Sequence, residues 1–425
     1  MLQGRRGFRS LLLRFSNFQG CRYESGSAVA APTLAPSPSL DGREFTAAGT
    51  ASTMRAAVLW EPGKPMTLED MQMPRPKFGE VLLKTKACGV CHSDLHIIKK
   101  DQPFPLPVVL GHEVTGEIME HGPHTDAATL QRLPIGARAV GAFIMPCGGC
   151  FYCVKGQEDL CETFFKYSRG KGALYDGQTR LFIASNGKPI HMYSMGGMAE
   201  YCVVPSNALA VLPSTLPYSD AAIMGCAVFT AYGAVKNAAN LRAGETVSVI
   251  GIGGVGSSCL QLARAFGARQ VIAVDVDDKK LENSKKLGAT HTVNSTKVNP
   301  VEAIKELTGG RGVDVAIEAL GKPKTFQQTA MSVRDGGRAV MVGLASFGTT
   351  AEFDMVHVVR RQVRIIGSYG ARARQDLPEL VTLAEIGAIN LSSAVTQRCG
   401  LEEVNQTFDA LDRGQILGRA IVEFN

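Results

Sequence analysis

Val247-Ser-Val-Ile-Gly251-Ile-Gly253-Gly-Val-Gly256-Ser257 opens on a short apolar run and breaks into glycines at GxGxxG spacing. The run from Val247 to Ile250 has the pattern of a strand buried on both faces. Leu260, Leu262, Ala263 and Phe266 continue as a helix, and a second apolar run, Val271 to Val274, ends in Asp275. Each part has a physical reason. Gly251, Gly253 and Gly256, with Gly254 and Val255 in the same turn, let the chain bend tightly and bring backbone close to a pyrophosphate. The helix N-terminus offers free N–H groups, and an acid at the end of the second strand accepts hydrogen bonds from a ribose diol. A glycine turn by itself can simply pack a helix on a sheet. With a strand before it, a helix after it and an acid at the proper distance, this one reads as a dinucleotide site.

Further strand-like runs follow at 290–293, 313–318, 338–342 and 363–366, most of them separated by helical stretches. Thr290 to Val293 is the least apolar of them. Together with the first two they predict an α/β architecture, a Rossmann doubly wound parallel sheet between about Ala227 and Gly367. Upstream the texture differs. Arg55 to Trp60, Met66 to Met71 and Glu80 to Ala87 read as short strands separated by Pro62-Gly63, Pro74, Pro76 and Gly79, and the chain stays β-rich and irregular to about Cys226. From about Ser368 it reads as mostly helical and finishes in a strand, Ala420 to Phe424.

A chain of 425 residues is too long for one compact domain and fits two with an extension. Its 45% hydrophobic and 20% charged content is that of a globular protein with a substantial core. The formal charge of +6 is modest and partly N-terminal, which argues against a nucleic-acid partner. No apolar run approaches the length of a membrane span.

Residues 1–53 read differently from the rest. Arg5, Arg6, Arg9, Arg14 and Arg22 alternate with Leu11, Leu12, Leu13, Phe15 and Phe18, and the first acid is Glu24. An Arg-rich, acid-poor start is the pattern of an organelle transit peptide, and the Ala/Pro/Ser/Thr-rich stretch to Thr53 that of a disordered linker. A secretory signal fits less well, because Arg14 and Arg22 interrupt and flank a very short apolar core. The expectation is a mitochondrial address in preference to a plastid one; the alternative is a cytosolic form starting at Met54.

Cys147-Gly-Gly-Cys150-Phe-Tyr-Cys153, followed by Cys161, places four thiols within fifteen positions. Four thiolates at such spacing close a tetrahedron around zinc with no open position, a structural site. A disulfide-rich loop and an iron–sulfur cluster are the alternatives. Zinc is preferred because the cysteines cluster in an otherwise cytosol-like composition. A second, dispersed set comprises Cys91, in Gly89-Val-Cys-His-Ser-Asp94; His112, in Gly111-His-Glu113; and Cys226, after Gly225. Alone, each reads as a small buried hydrophobe or an ordinary turn residue. Together they supply three ligands and leave a fourth position open, the layout of a catalytic zinc.

With these motifs in this order, the chain from Met54 onward resembles the zinc-containing alcohol dehydrogenases of the medium-chain dehydrogenase/reductase superfamily. The carriers are the Gly89–Asp94 and Gly111–Glu113 motifs, the Cys147–Cys161 lobe, Gly225-Cys-Ala-Val-Phe-Thr230 and the nucleotide fingerprint. The resemblance implies a GroES-like catalytic domain over 54–227, an NAD-binding domain over 228–368, and a C-terminal segment, 369–425, that completes the first. It implies a homodimer or homotetramer built through the nucleotide domains. It also implies that Cys91, His112 and Cys226 hold a catalytic zinc able to bind an alcohol and lower its pKa. Ser93 would take the alcohol proton, His96 would end a relay, Asp94 would orient His112, and Glu113 would lie near the metal. For His96 the competing reading is a solvated surface histidine, and for the acids ordinary turn residues.

On the cofactor side, the resemblance gives His92, Thr230, Lys280 and Arg419 as contacts to pyrophosphate, ribose and phosphate, although a solvated Lys or Arg is the commoner fate. A carboxylate at Asp275 repels a 2′-phosphate, and Val276-Asp277 brings no compensating arginine, which favours NAD over NADP. Phe143 matches a pocket wall, with Phe164 and Phe165 as further apolar surface. The expected activity is interconversion of primary alcohols and aldehydes. The alternatives are the glutathione-dependent formaldehyde dehydrogenase branch and a non-catalytic cofactor-binding protein on the same scaffold. That branch uses an arginine four residues past the last lobe cysteine, where this chain has Phe165, with Lys166 and Arg169 nearby.

Overall fold

The computed structural model describes residues 52–424, so the Arg-rich segment and nearly all of the expected linker lie outside the described residues. Three sheets organise the rest. The six-stranded one is wholly parallel, in the spatial order His291–Asn294, Gln270–Asp275, Thr246–Ile250, Val313–Glu318, Val333–Met341, Arg364–Gly367. In chain order that is 3-2-1-4-5-6, the doubly wound arrangement predicted. Val247 faces Val271 on one side and Val315 on the other, and every residue from Thr246 to Ile250 is buried. This explains why the strand reads as a continuous apolar run and does not alternate. The strand order reverses beside Thr246–Ile250, and the crevice at its carboxyl end is where such sheets bind ligands.

The seven-stranded sheet is antiparallel apart from its C-terminal edge. It is built on the strand Glu80–Val90, which pairs with Tyr201–Pro205, Val114–His121 and Arg419–Glu423. This strand runs three residues further than the sequence predicts, so that Cys91 stands at its very end. The five-stranded sheet joins Thr53–Leu59 and Thr67–Gln72 to Val108–Val109, Pro189–Met192 and Leu181–Phe182.

The C-terminal segment corrects the sequence reading. Its helices Ala373–Glu385 and Val404–Asp412 are as expected, but a strand, Val395–Cys399, lies between them. It pairs in parallel with Arg419–Glu423 at the sheet edge, and in its sequence VTQRC only Val395 is buried, with Gln397 and Cys399 half-buried, too short and polar a signal to read. Through these two strands the end of the chain returns to the sheet that carries Cys91. Among the described residues, no helix is long and apolar enough to cross a membrane.

Candidate active site

Cys91 is the N-cap of the short helix His92–Ile98, which follows the long strand directly. The sequence reading put this ligand in a glycine-flanked turn; the structure makes the turn a helix start. Asp94, the third residue of that helix, is buried, and its Oδ1 accepts from the Gly111 N–H at 3.0 Å and lies 3.1 Å from His112 Nδ1. Gly111 has a φ of 99°, the left-handed region that glycine enters without cost. With Nδ1 committed to Asp94, the Nε2 of His112 is left buried without a partner and free to ligate. Cys226 closes the set from the far side. Its neighbour Gly225 has no room for a side chain, since a Cβ there would meet the Gly141 carbonyl at 2.4 Å.

One ligand atom each from Cys91, His112, Glu113 and Cys226 lies within 4.8 Å of the others, and all four residues are buried. Burial works to lower the His112 pKa, but the Asp94 carboxylate and Cys91 outweigh it and push it up to about 10. The two thiols are driven in opposite directions. The hydrogen bond from Cys226, helped by Arg419 and His112, drives Cys91 well down, and Cys91 together with burial drives Cys226 well up. A buried imidazole and two thiols in this state are a donor set that a dication satisfies and a dry protein core does not.

Glu113 takes part in both halves of the site. Its Oε1 accepts from the Arg419 guanidinium, its Oε2 has no partner, and a Cβ on Gly89 would lie 2.0 Å from that oxygen. Burial raises its pKa to about 7 against the pull of Arg419. Arg419, expected as a phosphate contact, is thus ion-paired to Glu113. It also borders the nucleotide turn, since a Cβ on Gly254 would come within 2.7 Å of its Cδ. One arginine links the metal cluster to the N-terminus of the helix Gly254–Ala265.

The turn itself fits a pyrophosphate. A Cβ on Gly256 would strike the Gly251 carbonyl at 1.8 Å, so the helix can pack only on a glycine, whereas Gly253 faces open space through which a ligand can approach. Val255 packs half-buried against the core beside them. Asp275 is buried at the end of its strand and accepts from the N–H groups of Ile252 at 2.7 Å, Val276 at 2.7 Å and Asp277 at 3.1 Å. It therefore fixes the turn as well as bordering the crevice, and a carboxylate's roughly four acceptor sites leave one for a ribose hydroxyl. His92 has Arg419, His96 and Lys280 around it. Desolvation, with the charges of Arg419 and Lys280, lowers its pKa, opposed by Cys91. Lys280 is half-buried in the first turn of the helix Asp278–Lys286, and Thr230 follows Cys226 by one turn, its N–H on the Cys226 carbonyl at 2.7 Å.

Ser93 and His96 are one turn apart on the helix His92–Ile98 and share a face. Ser93 Oγ is 3.7 Å from the Cys91 sulfur, and His96 is 3.1 Å from Asp101, a partner the sequence reading did not identify. Aromatic rings wall the metal cluster. Phe143 packs edge-on to His112 at 6.1 Å and to Tyr369 at 5.5 Å, Tyr369 lies 5.7 Å from Phe165, and Tyr193 is edge-on to His112 at 5.5 Å. Phe143 and Phe165 were expected there. Phe164 is fully buried core beneath Phe165, and Tyr193 and Tyr369 gave no sequence signal.

The second thiol cluster brings Cys147, Cys150, Cys153 and Cys161 within 4.8 Å of one another. Cys150 and Cys161 sulfurs are 3.9 Å apart. That is close to the edge of about 3.8 Å expected for a tetrahedron with zinc–sulfur bonds of about 2.3 Å. Backbone N–H groups of Cys147 and Phe164 point at the Cys161 sulfur at 3.3 and 3.4 Å, as they do toward thiolates. Buried Glu158 ties this lobe to the C-terminal helix through the Arg374 backbone and guanidinium.

Comparison with known proteins agrees with this geometry. Residues 77–214 match the alcohol dehydrogenase GroES-like domain and residues 254–385 the zinc-binding dehydrogenase family. S-(hydroxymethyl)glutathione dehydrogenase of Escherichia coli is 32% identical over 375 residues, covering 87% of this chain and 99% of the relative. A crystal structure of an alcohol dehydrogenase zinc-binding domain protein from Burkholderia ambifaria superposes with a TM-score of 0.82 at 33% identity, over 88% of this chain and 99% of that one. Benzyl alcohol dehydrogenase from Acinetobacter calcoaceticus gives 0.81 at 31% identity, over 88% and 100%. With its parallel nucleotide sheet, GroES-like match and two cysteine-rich clusters, the chain belongs to the zinc-type alcohol dehydrogenases of the medium-chain dehydrogenase/reductase superfamily.

Proposed function

We propose that this oxidoreductase uses NAD to interconvert primary alcohols and aldehydes. The observation that carries the reading is the convergence of Cys91, His112 and Cys226 under an aromatic wall, joined through Arg419 to the nucleotide turn. Bound zinc supplies Lewis acidity toward the substrate oxygen, and bound NAD supplies the hydride acceptor. The chain does the rest. Cys91, His112 and Cys226 hold the metal, and Asp94 keeps the His112 Nε2 aimed at it. The Ser93 hydroxyl takes the alcohol proton and passes it outward toward His96, which Asp101 steadies. Gly251, Gly253, Gly254, Val255 and Gly256 receive the pyrophosphate with His92. Asp275 and Lys280 take the adenosine ribose, and Thr230 borders the nicotinamide side. Phe143, Phe165 and Tyr369 exclude water from the reacting carbon. Cys147, Cys150, Cys153 and Cys161 hold a structural zinc.

A second reading, oxidation of S-(hydroxymethyl)glutathione, is favoured by the names of the curated relatives. Phe165, where the resemblance implies an arginine in that branch, argues against it, because a phenyl ring cannot make the paired contacts of a guanidinium with a carboxylate. Purified protein assayed with NAD against hexanol, benzyl alcohol and the glutathione adduct decides between them. Higher catalytic efficiency on both alcohols is expected. Higher efficiency on the adduct selects the second reading, and no turnover of any of the three removes both.

The mitochondrial address remains part of the proposal. Residues 1–53 fused to a fluorescent protein should carry it to mitochondria, and protein starting at Met54 should remain active. A diffuse cytosolic signal contradicts the first expectation, and an inactive truncation the second.

A further inference from the structure

Two acids flank the strand Thr246–Ile250, where the sheet order reverses, and they are built alike. Asp275 ends the strand on one side of it, and Glu318 ends the strand on the other, in register with Ile250. Asp275 gathers the N–H groups of its own loop and that of Ile252 in the glycine turn. Glu318 is fully buried and does the same on its side. Its Oε1 accepts from the Leu320 N–H at 3.1 Å and the Gly321 N–H at 2.9 Å, and its Oε2 lies 3.1 Å from that same Gly321 nitrogen. The Thr325 hydroxyl donates to Oε1 as well. Burial raises the Glu318 pKa, opposed by the Thr325 hydroxyl and these N–H groups.

A buried carboxylate is costly, and what this one secures is a loop at the crevice. The Leu320 side chain fills the space beside Gly251, since a Cβ on that glycine would meet Leu320 Cγ at 2.4 Å. The backbone around it is equally constrained. The Ala319 N–H donates to the Ile250 carbonyl at 2.9 Å, and the Val342 and Gly343 N–H groups donate to the Glu318 carbonyl at 2.9 and 3.1 Å. Gly321 has a φ of 77°, and a Cβ there would meet the Leu344 carbonyl at 2.4 Å; one on Gly343 would meet Glu318 Oε2 at 2.6 Å. Two loops are thus fixed on one buried acid. The side chain held against the glycine turn is apolar and still 43% exposed.

We infer that Glu318 is a positioning residue for the dinucleotide: by holding the Leu320 and Gly321 backbone it sets the Leu320 side chain as the wall of the crevice beside the glycine turn. This rests on the dinucleotide reading of that turn. Asp275 clamps the turn from one side and Glu318, through Leu320, from the other. The crevice is then ordered before the ligand arrives, and binding does not bear the cost of ordering it. Glu318 itself touches no ligand. A glutamine in its place keeps the volume but sets an amide donor where one of the two oxygens faces the Gly321 N–H, so an attraction becomes a repulsion and the loop loosens.

The test uses the full chain loaded with zinc and follows NADH and NADPH binding by fluorescence titration, continuing with whichever the wild type binds more tightly. Glu318→Gln should weaken that binding by about tenfold. Leu320→Ala should weaken it by about three- to tenfold, and adding Glu318→Gln to Leu320→Ala should cost less than about threefold more, because the acid acts through that side chain. A carboxylate that served the fold alone would give losses that multiply in full. Unchanged binding in Glu318→Gln, or a double variant whose loss is the product of the two single losses, overturns the inference. Should Glu318→Gln fail to fold, Thr325→Val, which removes one donor and leaves the acid, decides: binding weaker by about threefold supports the inference and unchanged binding overturns it. A wild type that binds neither dinucleotide removes the dinucleotide reading, and this inference falls with it.

Discussion

Asp275 shows how one side chain can serve the fold and the ligand together. Its carboxylate holds three backbone N–H groups of the nucleotide turn and still faces the crevice. Asp275→Ala should therefore weaken NAD, relax the discrimination against NADP and loosen the turn, each lost interaction being worth on the order of 1–3 kcal/mol. Michaelis constants for both cofactors together with a thermal melt check this; no change in any of them removes Asp275 from the site. The residues that converge in the two clusters were legible in the sequence because metal chemistry restricts residue type and their flanking glycines mark tight geometry. Asp101, Tyr193 and Tyr369 were not legible as a set. Their roles depend on which side chains meet across elements far apart in sequence, and nothing in their local patterns records that.

At the level of elements, buried parallel strands announced themselves as continuous apolar runs, and all six strands of the nucleotide sheet lie within a few residues of where the sequence puts them. Val395–Cys399 escaped because an edge strand with polar residues on its open side resembles a loop. The other edge strand, Arg364–Gly367, is largely exposed, and Met355, Val356 and Val359 on the helix before it are exposed as well, Val359 at 72%. An open edge flanked by apolar side chains invites a second copy. Of the homodimer and homotetramer that the resemblance implies, we expect the dimer, with its contact formed here. Sedimentation velocity should give a dimer for the wild type and a monomer for Val359→Glu, and a monomeric wild type would contradict the assignment.

Across the whole molecule, the site exists because distant parts of the chain are drawn to one crevice. The strand Glu80–Val90 delivers Cys91, the Gly111 turn delivers His112, and Gly225 lets Cys226 approach. The last strand begins with Arg419, which ties that cluster to the nucleotide turn. The central claim is that this assembly is a two-zinc, NAD-reducing catalyst. Metal analysis alongside NADH formation, on wild type and Cys226→Ala, tests it most directly. Wild type should carry two zinc ions per chain and reduce NAD. The variant should keep its fold and one zinc, in the four-cysteine lobe, and lose turnover by several orders of magnitude. Two bound zinc ions and near-normal activity in Cys226→Ala would contradict the account.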